Sequence, residues 1–68
     1  MATSAMYDLG YELAAAQLER QKFAPGSDDY YRAHSREHDI LGQISDAGGF
    51  GGEPDAQQGY NDGLAAIS

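Results

Sequence analysis

Ala24-Pro25-Gly26-Ser27-Asp28-Asp29 decides the fold, because it ends one helix and opens the next. Proline beside glycine punctuates a chain, since one lacks an amide donor and the other tolerates turns. Ser27 then offers its hydroxyl to the free amides of a helix start. Asp28 and Asp29 place negative charge where the helix dipole favours it. A second helix is therefore predicted over about 28–45.

Upstream, the sequence predicts a first helix over about 4–22, with Thr3 or Ser4 as its cap and Arg20 and Lys22 in its last turn. Leu13, Ala14, Ala15, Ala16, Gln17 and Leu18 are good helix formers, and Gly10 is the one weak point. Downstream, Ala47-Gly48-Gly49-Phe50-Gly51-Gly52 reads as a loop. Pro54 suits the first position of a third helix running to about residue 67. The expected architecture is all-α: one small three-helix domain, residues 1–68, with a Pro-Gly turn and a Gly-rich loop. Caps at the helix ends argue against disorder.

The chain has 68 residues and no cysteine, so no disulfide can staple it. Domains this short bury only about 60% of the surface their unfolded chain exposes, so the core is marginal. A partner contact, a metal or close helix packing has to supplement it. The absence of cysteine fits a reducing compartment. The first ten residues have no basic region, and Asp8 interrupts any apolar run, which speaks against a secretory signal. No stretch approaches the ~18 apolar residues of a membrane span, and a cytoplasmic protein is expected.

Formal net charge is −7, and all four basic residues, Arg20, Lys22, Arg32 and Arg36, lie between positions 20 and 36. Direct nucleic-acid binding is disfavoured, because it needs lysine and arginine against phosphate. A basic protein surface is the better match.

At ~100° per residue, the first helix has two apolar sides. Ala2, Met6, Leu9, Leu13 and Ala16 form one; Tyr7, Tyr11, Ala14 and Leu18 form the other; Asp8, Glu12 and Glu19 share a wedge between them. Such a helix is either central in its own domain or shared with another chain. The second helix carries an apolar arc of Tyr30, Ala33, Ile40, Leu41 and Ile44, into which Glu37 projects. A carboxylate there needs a partner or must reach water along its stem. The expectation is that its stem lies along the face and its head reaches water; His34, one turn earlier, and tyrosine hydroxyls are the available partners if it is buried, and Arg32 and Arg36 are expected to pair with Asp28 or Asp29 and with Asp39. The third helix is apolar along Ala56, Tyr60, Leu64 and Ile67. Gly59 and Gly63 weaken it by about 1 kcal/mol each. Close approach of another helix is the physical candidate for offsetting that loss. The partial likeness of Gly10-Tyr11 to Gly59-Tyr60 reads as composition, not as a repeat.

His34-Ser35-Arg36-Glu37-His38 has the H-x-x-E-H order of inverse zinc peptidases. The chain is too short to form their cleft, and a third ligand would have to come from Glu53, Asp55 or Asp62. A small metal-binding protein using His34 and His38 is thus a remote alternative, and no cofactor is expected. The glycine-rich stretch lacks the lysine and hydroxyl of a phosphate loop. No nucleophile–base–acid set is present, and no enzymatic activity is expected.

The expected function is a non-catalytic protein-binding module: an acidic adaptor or inhibitor that docks on a basic surface of a larger protein. Tyr7, Tyr11 and Phe50 would anchor the contact, with Asp8, Glu12 and Glu19 supplying charge. If that surface handles nucleic acid, the chain would compete with it. In size and acidity the sequence resembles phage-borne inhibitors of host defence, a likeness that no residue pattern carries. The alternative is a structural subunit that forms a homo-oligomer.

Overall fold

The computed structural model describes residues 4–67. The chain is all-α, with no strand among the described residues. Three long helices, α1 (Ala5–Arg20), α2 (Asp28–Asp46) and α4 (Pro54–Ile67), are joined by the Pro-Gly turn and by a short helix, α3 (Gly49–Gly52).

The caps stand where the sequence places them. The Ser4 hydroxyl accepts from the Tyr7 amide at 3.1 Å, and the Ser27 hydroxyl accepts from the Tyr30 amide at 3.1 Å. Pro54 opens α4. Helix α1 stops at Arg20, two residues before the expected end. There the ladder tightens to bonds from the Lys22 amide to Glu19 and from the Phe23 amide to Arg20. Such i→i+3 bonds commonly close a final turn, and they leave Lys22 outside the helix.

The glycine-rich segment is not the open loop expected of it. Gly48 and Gly49 turn the chain through left-handed backbone, φ 117° and 72°. One helical turn then closes through bonds from the Gly52 amide to Gly48 and from the Glu53 amide to Gly49. Glycine disfavours helix, but Phe50 in this turn packs against the hydrophobic core, and that burial offsets the local cost.

Helix α1 is central. It packs along one side against α4 and along another against α2, while α3 touches both α2 and α4. Leu13, Ala16, Ile40, Ile44 and Ala56 are buried at the centre, with Met6, Leu9, Phe50 and Tyr60 packed around them. Ala2 lies outside the described residues. Among the described residues Ile44 is the one large side chain that is completely enclosed. So short a list of large residues is supplemented by backbone proximity. A β-carbon on Gly10 would collide with the Ala56 carbonyl, one on Gly59 with the Tyr7 carbonyl, and one on Gly63 would sit 2.7 Å from the Ala14 β-carbon. The α1–α4 crossing is therefore this close only because glycine stands at these positions, and the atoms brought together gain dispersion contacts that bulkier residues would weaken.

Candidate partner-binding surface

The second apolar side of α1 faces α4. Tyr7 and Tyr11 are half-buried, their rings 6.4 Å apart. The Tyr7 hydroxyl donates to Asp62 Oδ2 at 2.6 Å, and Gln58 donates to Asp62 Oδ1 at 2.8 Å. These bonds favour the carboxylate, the Tyr7 bond first, and hold Asp62 below its ordinary range. The same bond, then partial burial, raises the Tyr7 phenol above its ordinary value. Tyr7 is thus tied to the internal α1–α4 contact through its hydroxyl, and Tyr11 sits beside it with its backbone against Gly59 and Gly63.

Phe50 lies elsewhere. Its ring centre is 5.6 Å from that of Tyr60, whose hydroxyl donates to Gln17 Oε1 at 2.5 Å. Tyr60 and Asp62, two residues apart on α4, point to nearly opposite sides of the helix. The structure therefore brings Tyr7 and Tyr11 together but not Phe50 with them.

Asp8, Glu12 and Glu19 are exposed, in the wedge that their spacing predicts. Glu19 is engaged by Arg36 of α2, Nη1 to Oε2, at 3.8 Å. Arg36 was expected to pair with Asp39; the approach of α1 offers it Glu19 instead. Arg32 pairs with Asp29 at 3.6 Å, as its spacing suggests.

The carboxylate in the apolar arc of α2 also finds its partner across the helix boundary. Glu37 Oε2 lies 2.9 Å from Arg20 Nε, with both side chains mostly buried. His34, one of the partners that helical spacing offers, stacks on Tyr30 (6.1 Å) and against His38 (4.4 Å) instead. Tyr30 also meets Tyr31 edge-on at 5.9 Å, and the Arg20 guanidinium lies 6.0 Å from its ring centre. This ladder of rings along α2 was not foreseen, although Tyr30, His34 and His38 recur every fourth residue. Leu41, assigned to the buried arc, is 42% exposed, and Tyr31 is 59% exposed.

Two other possibilities have little geometric support. Among the described residues no three His, Cys, Asp or Glu side chains converge as metal ligands. A recess of about 150 Å³ between α1 and α2, lined by Glu19, Phe23, Asp29, Arg32, Ala33 and Arg36, is below the ~300 Å³ typical of small-molecule pockets. Among the described residues no helix is long and apolar enough to cross a membrane. Comparison with protein-family models, curated proteins and solved structures finds no match.

Proposed function

We propose that this chain is a non-catalytic, acidic protein-binding module that docks on a basic surface of a larger protein in the cytoplasm. The observation that carries this reading is the fate of the arginines. Arg20, Arg32 and Arg36 are all held by the chain's own acids, Glu37, Asp29 and Glu19. The net charge of −7 is therefore expressed by other carboxylates, Glu12, Asp39, Asp46 and Asp55 among them, while the exposed Arg32 and Arg36 each lie beside an acid of the chain itself. A field of one sign steers association with the opposite sign and rejects like-charged partners, nucleic acid included. A basic surface that itself handles nucleic acid is the most specific target of this kind, and occupying it would make the chain an inhibitor of the phage-borne type.

The test is capture on the immobilised protein from cells of its natural setting, at low and high salt and with a polyanion competitor. A partner with a basic face should be retained at low salt and released by high salt or by added nucleic acid. Retention indifferent to both, or recovery of this chain alone, would overturn the reading.

A further inference from the structure

Helix α2 divides lengthwise into three faces. At ~100° per residue, Ala33, Glu37, Ile40 and Ile44 share the arc that meets α1. A second arc holds the charges Asp29, Arg32 and Arg36 and, at its far edge, Asp28, Asp39 and Asp46. The third arc contains no charged carboxylate, ammonium or guanidinium: Tyr31, His34, His38, Leu41, Gly42 and Ser45. Its large residues Tyr31 and Leu41 are exposed to 59% and 42%, and the half-buried His34 and exposed His38 continue the ladder between them. An uncharged ring-bearing strip is out of place on the surface of a chain this acidic.

We propose that this strip of α2 is a docking face for an amphipathic helix of a basic partner, one whose apolar ridge is bordered by lysine or arginine. The inference rests on the function proposed above and deepens it, by moving the principal contact from Tyr7, Tyr11 and Phe50 to Tyr31, His34, His38 and Leu41. Charge complementarity selects the occupant. Asp28, Asp39 and Asp46 line one edge of the strip along the length of the helix, and none makes an ion pair among the described residues. A partner with cations beside an apolar ridge meets both features at once. A second copy of the chain meets them poorly. Pairing two α2 helices antiparallel about a two-fold axis puts the aspartate edge of one beside that of the other, and brings two bodies of charge −7 together. The strip also stands apart from the internal packing, because Tyr31 and Leu41 are outside the core cluster.

The probe is an amphipathic Leu/Lys helical peptide of roughly 18 residues, compared with its Leu/Glu counterpart. Binding is read by amide chemical shifts and by affinity at low and high salt. The Leu/Lys peptide should bind saturably, with the largest shifts along residues 31–45, and the Leu/Glu peptide should not bind. Tyr31→Ser with Leu41→Ser should weaken binding by more than about tenfold, and Asp39→Asn with Asp46→Asn by about threefold to tenfold, as rim pairs allow. All four side chains are exposed, so the fold persists and circular dichroism verifies it. Shifts centred on Tyr7 and Glu12, no saturable binding, or a dimer abolished by Leu41→Ser would each overturn the assignment. A natural partner that is captured salt-dependently and equally well by the Tyr31→Ser, Leu41→Ser variant would sink this face while leaving the broader function intact.

Discussion

Gly10 and Gly59 are reciprocal at the α1–α4 crossing. The side of Gly10 that would carry a β-carbon faces the carbonyl of Ala56, three residues before Gly59. The same side of Gly59 faces the carbonyl of Tyr7, three residues before Gly10. Each glycine also abuts the amide of the residue after the other, Tyr60 at 2.9 Å and Tyr11 at 3.1 Å from the ideal β-carbon. The two Gly-Tyr steps thus occupy equivalent places in a locally two-fold contact. The arrangement belongs to the class in which Cα–H groups meet carbonyls across helix interfaces.

Gly10→Ala and Gly59→Ala should therefore each destabilise the protein, although alanine is the better helix former. The gain in propensity is about 1 kcal/mol. Forcing backbones apart in a packed interface costs about 1–3 kcal/mol or more, and here the obstacle is a carbonyl that cannot rotate away. A net loss of about 1–2 kcal/mol is expected, a large share of the stability of so small a domain. Gly42 is the control: it lies within α2 with nothing near its missing side chain. Gly42→Ala should raise stability by about 0.5–1 kcal/mol in urea unfolding. If the three variants move together, the crossing does not depend on glycine.

Asp62 and Tyr7 give the stability a pH signature with two edges. The Asp62 carboxyl is depressed below its ordinary 3.8, so its contribution is complete above that value and is lost as pH falls through the lowered one. The Tyr7 phenol is raised above 10.0, so its contribution is complete below pH 10.0 and is lost as pH rises through the raised value. Tyr7→Phe removes the bond that couples them. Denaturant unfolding across pH should show the largest gap between wild type and Tyr7→Phe on the plateau between these edges, narrowing at both. A gap that stays constant into strong acid would show that the bond to Asp62 is not its source.

Arg20 and Glu37 form an ion pair whose side chains are only 27% and 17% exposed, against 80% and 59% for Arg32 and Asp29. The enclosed pair is screened less by water. Its coupling in a double-mutant cycle with Arg20→Met and Glu37→Gln should be about 1–2 kcal/mol. The exposed pair should give less than about 0.5 kcal/mol. Equal coupling for both would mean that the α1–α2 contact is looser than described, with Glu37 reaching water along its stem.

Local signals in the sequence were legible, and long-range ones were not. Ser4, Ser27 and Pro54 mark helix starts because capping is decided within one turn. The acidic wedge of Asp8, Glu12 and Glu19 follows from spacing alone. The glycines of α4 revealed a propensity deficit that close packing must offset, yet Gly10 looked merely weak, because nothing local says which helix it will meet. For Glu37 the sequence offers water along its stem, His34 or a tyrosine hydroxyl; Arg20, 17 residues earlier in sequence, reaches it only after α1 and α2 have packed. Leu41 was placed in the buried arc because hydrophobicity does not distinguish the centre of a face from its edge. The tertiary contact of α2 is mainly with α1, and this leaves Leu41 outside.

Phe50 carries the last prediction, because its ring divides a core role from a purely partner-facing one. It is half-buried, packs on the core cluster and meets Tyr60, so α3 is held in place by one aromatic between four glycines. Complete burial of a phenylalanine is worth about 3–5 kcal/mol on truncation, and half-burial scales this to roughly 1–2 kcal/mol. Phe50→Ala should lower stability by that amount. It should also abolish amide protection at Gly52 and Glu53, whose bonds close the α3 turn, before protection in α1 is affected. A loss below about 0.5 kcal/mol, with α3 protection unchanged, would return Phe50 to the surface as a free anchor. The contact with Tyr60 would then contribute nothing to the fold.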